Sequence, residues 1–146
     1  MKTKMIISVC LLLASIAVVQ AASVLPQGRW TIAQVTIEKN TDGNIQTTVY
    51  NTAADVKSYI PCPQELEINA QSVILRYPDG TEETTQYTLE DNQLTILIAD
   101  AIQSCQYSIK DGNLTLTAKH NYVNNLPTGH KERIAEQWII SLKKQK

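Results

Sequence analysis

From Glu65 to Thr117 the chain is a succession of short runs in which apolar and polar residues alternate, separated by turn signals about every ten residues. Leu66 and Ile68 share one phase, as do Val73, Leu75 and Tyr77, then Thr85, Tyr87 and Leu89, then Leu94, Ile96 and Ile98. Cys105, Tyr107 and Ile109 follow, then Leu114 and Leu116. Between the runs stand Asn69-Ala70-Gln71, Pro78-Asp79-Gly80, Glu90-Asp91-Asn92 and Lys110-Asp111-Gly112-Asn113, stretches rich in the residues that tight turns use. A period of two puts one apolar face on each run. Many short strands with one buried face predict an antiparallel meander, as a sandwich or a barrel. The runs share no motif beyond alternation, which excludes a solenoid.

Upstream, Gly28-Arg29-Trp30 opens a run ending at Ile37 whose phase changes midway. Trp30 and Ile32 share one face and Val35 and Ile37 the other, so either a bulge sits near Ala33-Gln34 or both faces of this strand are covered. Asn40-Thr41-Asp42-Gly43 predicts a turn, and Ile45 to Tyr50 resumes the alternation, so the first two strands form a hairpin. Residues 51–63 are irregular: Thr52 to Tyr59 reads as a short helix or a loop laid over a barrel end. Pro61-Cys62-Pro63 then holds a cysteine stiffly in extended chain.

The tail fits two patterns. Ile134, Trp138 and Leu142 make a helical stripe; Trp138, Ile140 and Leu142 make a strand that Glu136 interrupts on the same phase. The strand is preferred, because Asn124 to Gly129 reads as a hairpin tip and a last strand can pair back with the first, removing exposed edges. The expected fold is all-β: an antiparallel up-and-down β-barrel of 8–9 strands with almost no helix, since about eight strands close around side chains or one small ligand.

Residues 1–21 read as a signal peptide, with Lys2 and Lys4 before an uncharged apolar run and small residues at Val19-Gln20-Ala21. Residues 22–146 are then the barrel domain of an exported protein, periplasmic or secreted. Cys10 lies inside the apolar run, not at a lipidation site. No later segment reaches membrane-spanning length. Removal of the leader leaves 11 basic side chains against 14 acidic, which argues against a nucleic-acid partner. Cys62 and Cys105 remain, an even number in an oxidising compartment, so a disulfide between them is expected, with ~4 kcal/mol on the chain-entropy model.

With this layout and Gly28-Arg29-Trp30 at its head, the chain resembles the lipocalin-like (calycin-type) domains of small exported bacterial proteins. The resemblance implies that Gly28 and Trp30 form the plug closing one barrel end. It also implies that a basic residue near the last strand, Lys143 or Lys144, packs over the indole, where the family has arginine. The family's Thr-Asp-Tyr turn motif is absent.

The tyrosines are the first candidates for ligand contact. The chain has six tyrosines and no phenylalanine, and Tyr77, Tyr87 and Tyr107 lie on apolar phases. Rings with a polar tip suit a cavity that grips a mostly apolar molecule, and Trp138 joins them as a candidate contact. His120 and His130 fall around the tip of the last hairpin, as solvated loop residues, with no recognised metal-ligand spacing beside them. Glu67, Glu136 and Asp100 are conceivable carboxylates for acid–base work, but no motif pairs them, and no nucleophile elbow is present. The sequence therefore points to a non-catalytic binding barrel for a small apolar or amphipathic ligand, without cofactor or metal. The alternative is a packed barrel acting as a protein- or glycan-interaction module at the cell envelope.

Overall fold

A computed structural model describes residues 25–57, 61–98 and 101–146, with side chains of 98, 101 and 102 excepted. The expected signal peptide, Tyr59 and Asp100 lie outside the described residues. Nine strands run in chain order: β1 (Gly28–Thr41), β2 (Asn44–Tyr50), β3 (Glu65–Ile68), β4 (Ser72–Arg76), β5 (Glu82–Glu90), β6 (Gln93–Ile98), β7 (Ala101–Lys110), β8 (Asn113–Asn125) and β9 (Lys131–Lys144). Every pairing is antiparallel, and β9 pairs back onto β1. Eight strands, β1 and β3 to β9, thus close a barrel, with β2 as an additional strand outside the closed ring.

The tail is a strand. Glu136, the residue that broke its apolar phase, stays in register opposite Lys39 of β1 and His120 of β8.

The phase change in the first run is a bulge. Ile32 pairs with Leu142 and Gln34 with Ser141, leaving Ala33 as the extra residue. One added residue returns Val35 and Ile37 to the face that Trp30 and Ile32 already occupy, and all four are buried. At the following turn Asp42 and Gly43 both have positive φ, the geometry a two-residue hairpin requires, and the Asn40 side chain accepts the Gly43 amide at 2.9 Å.

β2 and β3 lie in line along the same edge of β1. Tyr50 pairs with Val35, and Glu65 resumes the ladder at Thr31. They are two halves of one strand position, interrupted by residues 51–64. That excursion holds the only helical turn among the described residues, a 3₁₀ turn at Ala53–Asp55. Thr52 bonds to the Asp55 carboxylate at 2.6 Å and does not cap the turn's backbone. Ala53, Cys62 and Pro63 are buried, so the described parts of the excursion, residues 51–57 and 61–64, lie against the barrel as a strap.

One end of the barrel is closed. Trp30 is 2% exposed, and its indole N–H donates to the Pro26 carbonyl at 3.2 Å. Lys144 Nζ stands 5.9 Å from the ring centroid, within cation–π range. Gly28 is needed here: its φ is +124°, and a Cβ would meet Lys144 Cε at 3.0 Å. Leu25, Leu75, Leu114, Leu142 and Val35 belong to the same core cluster as the indole and are almost wholly buried. On the outer surface, Arg76 binds Glu65 and Glu67 on β3 and Glu82 on β5, tying three strands together. The Arg76 hydrogen bond holds the Glu67 carboxyl below the usual carboxylate range, so Glu67 belongs to a surface network and not to an acid–base pair.

The expected Cys62–Cys105 disulfide is not formed: both are free, buried thiols. Cys62 sits in the strap with its thiol directed at the Pro63 carbonyl, 3.6 Å away, and Cys105 is packed in the wall on β7. Burial pushes each thiol up to about 11, so neither has the thiolate character that oxidation needs.

Candidate functional site

The inner phase of β1, β9 and β8 changes character with height. In the lower rows Ile32 stands beside Leu142 and Leu114, and Val35 beside Ile140 and Leu116, all aliphatic. The next row is Ile37, Trp138 and Ala118; above it stand Lys39, Glu136 and His120; above that Thr41, Ile134 and Tyr122. Strand alternation alone aims these side chains the same way as the core residues below them. The polar row is therefore on the concave side of the sheet, at the barrel's open end.

Glu136 organises this mouth. The Trp138 indole N–H donates to one carboxylate oxygen at 2.8 Å, and the Tyr122 hydroxyl donates to the other at 2.6 Å. Bonds to an ionised acceptor are about twice as strong as neutral ones, so this carboxylate fixes both rings. The His120 ring meets Trp138 edge to face, with centroids 6.4 Å apart and planes at 87°.

Below the mouth lies a small hollow of about 70 Å³. Its walls are mostly aliphatic, with Ile32, Leu66, Leu75, Ile96, Leu116 and Ile140. Trp138, His120 and Gln103 stand at its polar side, and the strap residues Pro61, Cys62 and Pro63 contribute with Cys105 of β7. Both cysteines therefore face one cavity without bonding to each other. A larger groove of about 490 Å³ between the β1–β2 and β8–β9 tips is open to solvent. There Asp42 accepts the Arg133 amide at 3.2 Å and lies 3.5 Å from His130.

Of the four candidate ligand contacts, only Trp138 lines the hollow. Tyr77 is buried beneath the strap, and its hydroxyl donates to Glu83 at 3.0 Å. Burial, and then the Glu83 carboxylate, push that hydroxyl above the ordinary tyrosine range. Tyr87 donates to the carbonyls of Asn69 and Ala70, both at 2.9 Å, which ties it to the β3–β4 turn near the closed end. Tyr107 stands beside Leu116 on β7 and is half-buried, in the lower barrel.

His120 is not a loop residue but part of the β8 inner face, far along the hairpin from His130. Among the described residues no group of three His, Cys, Asp or Glu side chains is arranged to hold a metal ion, and no helix is long and apolar enough to cross a membrane. The residues that sequence reasoning missed are Tyr122, Gln103 and the role of Glu136. The signal for the last was present, as a charge on an apolar phase.

No protein-family model, curated protein or solved structure matches this chain.

Proposed function

We propose that the chain is an exported, lipocalin-like barrel that binds a small amphipathic molecule at its mouth and performs no chemistry on it. The observation that carries this reading is the change of lining, within one continuous inner face, from aliphatic side chains to the Lys39–Glu136–His120 row directly above an apolar hollow. The apolar end of the ligand enters the hollow and its polar end stays at the row. The size of the hollow limits what enters. Pockets that engulf whole drug-sized ligands measure about 300–1,000 Å³, and a cavity of about 150 Å³ holds benzene. A hollow of about 70 Å³ takes a chain end of about two to four carbons. Trp30 buried at the opposite end with Lys144 over it supports the lipocalin-like reading, since that resemblance implies such a plug.

The test is a titration of the purified protein with straight-chain alcohols, amines and carboxylates of increasing length, read by Trp138 fluorescence, beside native mass spectrometry of protein from its own host. A saturable response that disappears in Ala118→Leu, which fills the hollow, is the expected result. A response unchanged by that substitution, or none across the series, removes the proposal.

One observation favours a second reading, an interaction module: β2 presents a long uncharged edge to solvent.

A further inference from the structure

β2 is an edge strand with none of the usual protections. Asn44 to Val49 are all exposed, with Ile45 at 64% and Val49 at 51%, and among the described residues no strand pairs with its outer side. Natural edges are blunted by charge, proline or shortness. The sequence Asn44-Ile45-Gln46-Thr47-Thr48-Val49-Tyr50 contains no charged residue and no proline. Another free edge of the same sheet, β8 beyond Ala118, carries Lys119 and His120. Among the described residues the β2 edge is a free run of seven residues without a charge.

Its free backbone groups follow from the register. In a two-residue hairpin the pair flanking the turn is hydrogen-bonded, here Thr41 with Asn44, and bonded pairs recur every second residue. Asn44, Gln46, Thr48 and Tyr50 therefore direct their amides and carbonyls at β1, whereas those of Ile45, Thr47 and Val49 point to the open edge. This set is symmetric about Thr47. When a second β2 approaches antiparallel across a two-fold axis at Thr47, Ile45 comes opposite the partner's Val49, Thr47 opposite the partner's Thr47, and Val49 opposite the partner's Ile45. All three pairs present bonding groups to each other. The same register brings the two most exposed apolar side chains of the strand into cross-strand contact, with no charge on either edge to oppose it.

We propose that this edge is the site of self-association: two copies of the chain join β2 to β2 across a two-fold axis at Thr47, merging their sheets. Pairing of this kind closes on itself and makes a dimer, not a fibre. A single seven-residue strand is a small interface, so the dimer is expected to dissociate on dilution.

Analytical ultracentrifugation across the micromolar range is the first experiment, with a doubling of mass on concentration as the expected result. Thr47→Lys places two ammonium groups at the axis and is expected to leave a monomer with unchanged melting, because Thr47 is exposed and its backbone groups take no part in the β1 ladder. A short bis-maleimide then reads the register. Thr47→Cys is expected to cross-link to itself, and Ile45→Cys to link with Val49→Cys but not with itself; Cys62 and Cys105 are buried and stay unmodified. A wild-type chain that remains monomeric, as it would if the edge received a different protein, overturns the proposal. So does a dimer indifferent to Thr47→Lys, or cross-linking in another register.

Discussion

The two ends of the barrel are built from the same strands on the same inner phase, yet they are different materials. Towards the closed end the inward positions of β1, β8 and β9 are aliphatic or tryptophan up to Gly28 and Lys144 at the rim, and the fully buried side chains concentrate there. At the mouth the same phase carries Lys39, Glu136, His120 and Tyr122 beside Thr41 and Ile134, with Tyr122 and Trp138 hydrogen-bonded to the Glu136 carboxylate. The two tryptophans mark the contrast. Trp30 spends its N–H on a backbone carbonyl and its ring on packing, whereas Trp138 is oriented by a charged side chain at the edge of a hollow. Strand phase settles only whether a residue faces in. Height along the strand settles whether facing in means core or site.

The hardest test of that contrast is removal of the plug. Trp30→Ala deletes a buried indole with no partner able to refill the space, and a loss of ~3–5 kcal/mol is expected by urea denaturation. That is a large part of the stability of a domain this size. If Trp30→Ala is tolerated at less than about 1 kcal/mol, the closed end is not where the fold is held, and the distinction between the ends fails.

The second test lies at the boundary, where Cys62 and Cys105 face the hollow. Burial raises each thiol from an ordinary value of 9.0 to about 11, so the folded state keeps two protons that the unfolded chain releases. The associated stability is complete below pH 9 and is lost as pH rises towards 11, by about 2–3 kcal/mol for each thiol. Wild-type stability measured between pH 8 and 11 should fall accordingly, and the double variant Cys62→Ala with Cys105→Ala should lose that part of the slope. A slope identical in the variant would mean that the thiols are solvated and the hollow is wet.

Much of this was legible from particular residues. The break at Ala33 followed from Trp30 and Ile32 falling out of phase with Val35 and Ile37, because a side-chain period of two buries all four only with an inserted residue or with both faces covered, and the β1–β9 register shows the insertion. The turns followed from their Asp-Gly and Pro-Asp-Gly signatures, and the last strand from the hairpin tip before it. The site was less legible. Tyr77, Tyr87, Tyr107 and Trp138 share a phase, but their heights depend on which strands pair at which register, and the ladders distribute them between the two ends. The disulfide was inferred from an even number of cysteines in an exported chain. Pairing depends on where the strap runs and how the wall orients each thiol, and neither can be read from spacing. β2 and β3 looked like separate strands, because the excursion at 51–64 hides their shared alignment along β1.

The smallest effect separates positioning from packing at the mouth. Glu136→Gln keeps the size of the side chain but removes the charge, and an amide offers one acceptor oxygen where the carboxylate offers two. Tyr122 and Trp138 then compete for that oxygen, and the bond each makes loses its ionic component. Because Glu136 is only half-buried, the expected cost in stability is about 1–2 kcal/mol, below that of Trp30→Ala. The informative signal is optical. Trp138 emission should shift and broaden as the indole loses its single orientation, while that of Trp30, at the opposite end, should stay as it is in a Trp138→Phe background. A Glu136→Gln protein whose Trp138 emission is unchanged would show that packing against His120 and Ala118, not the carboxylate, sets the indole, and the mouth would then be an extension of the core instead of a different material from it.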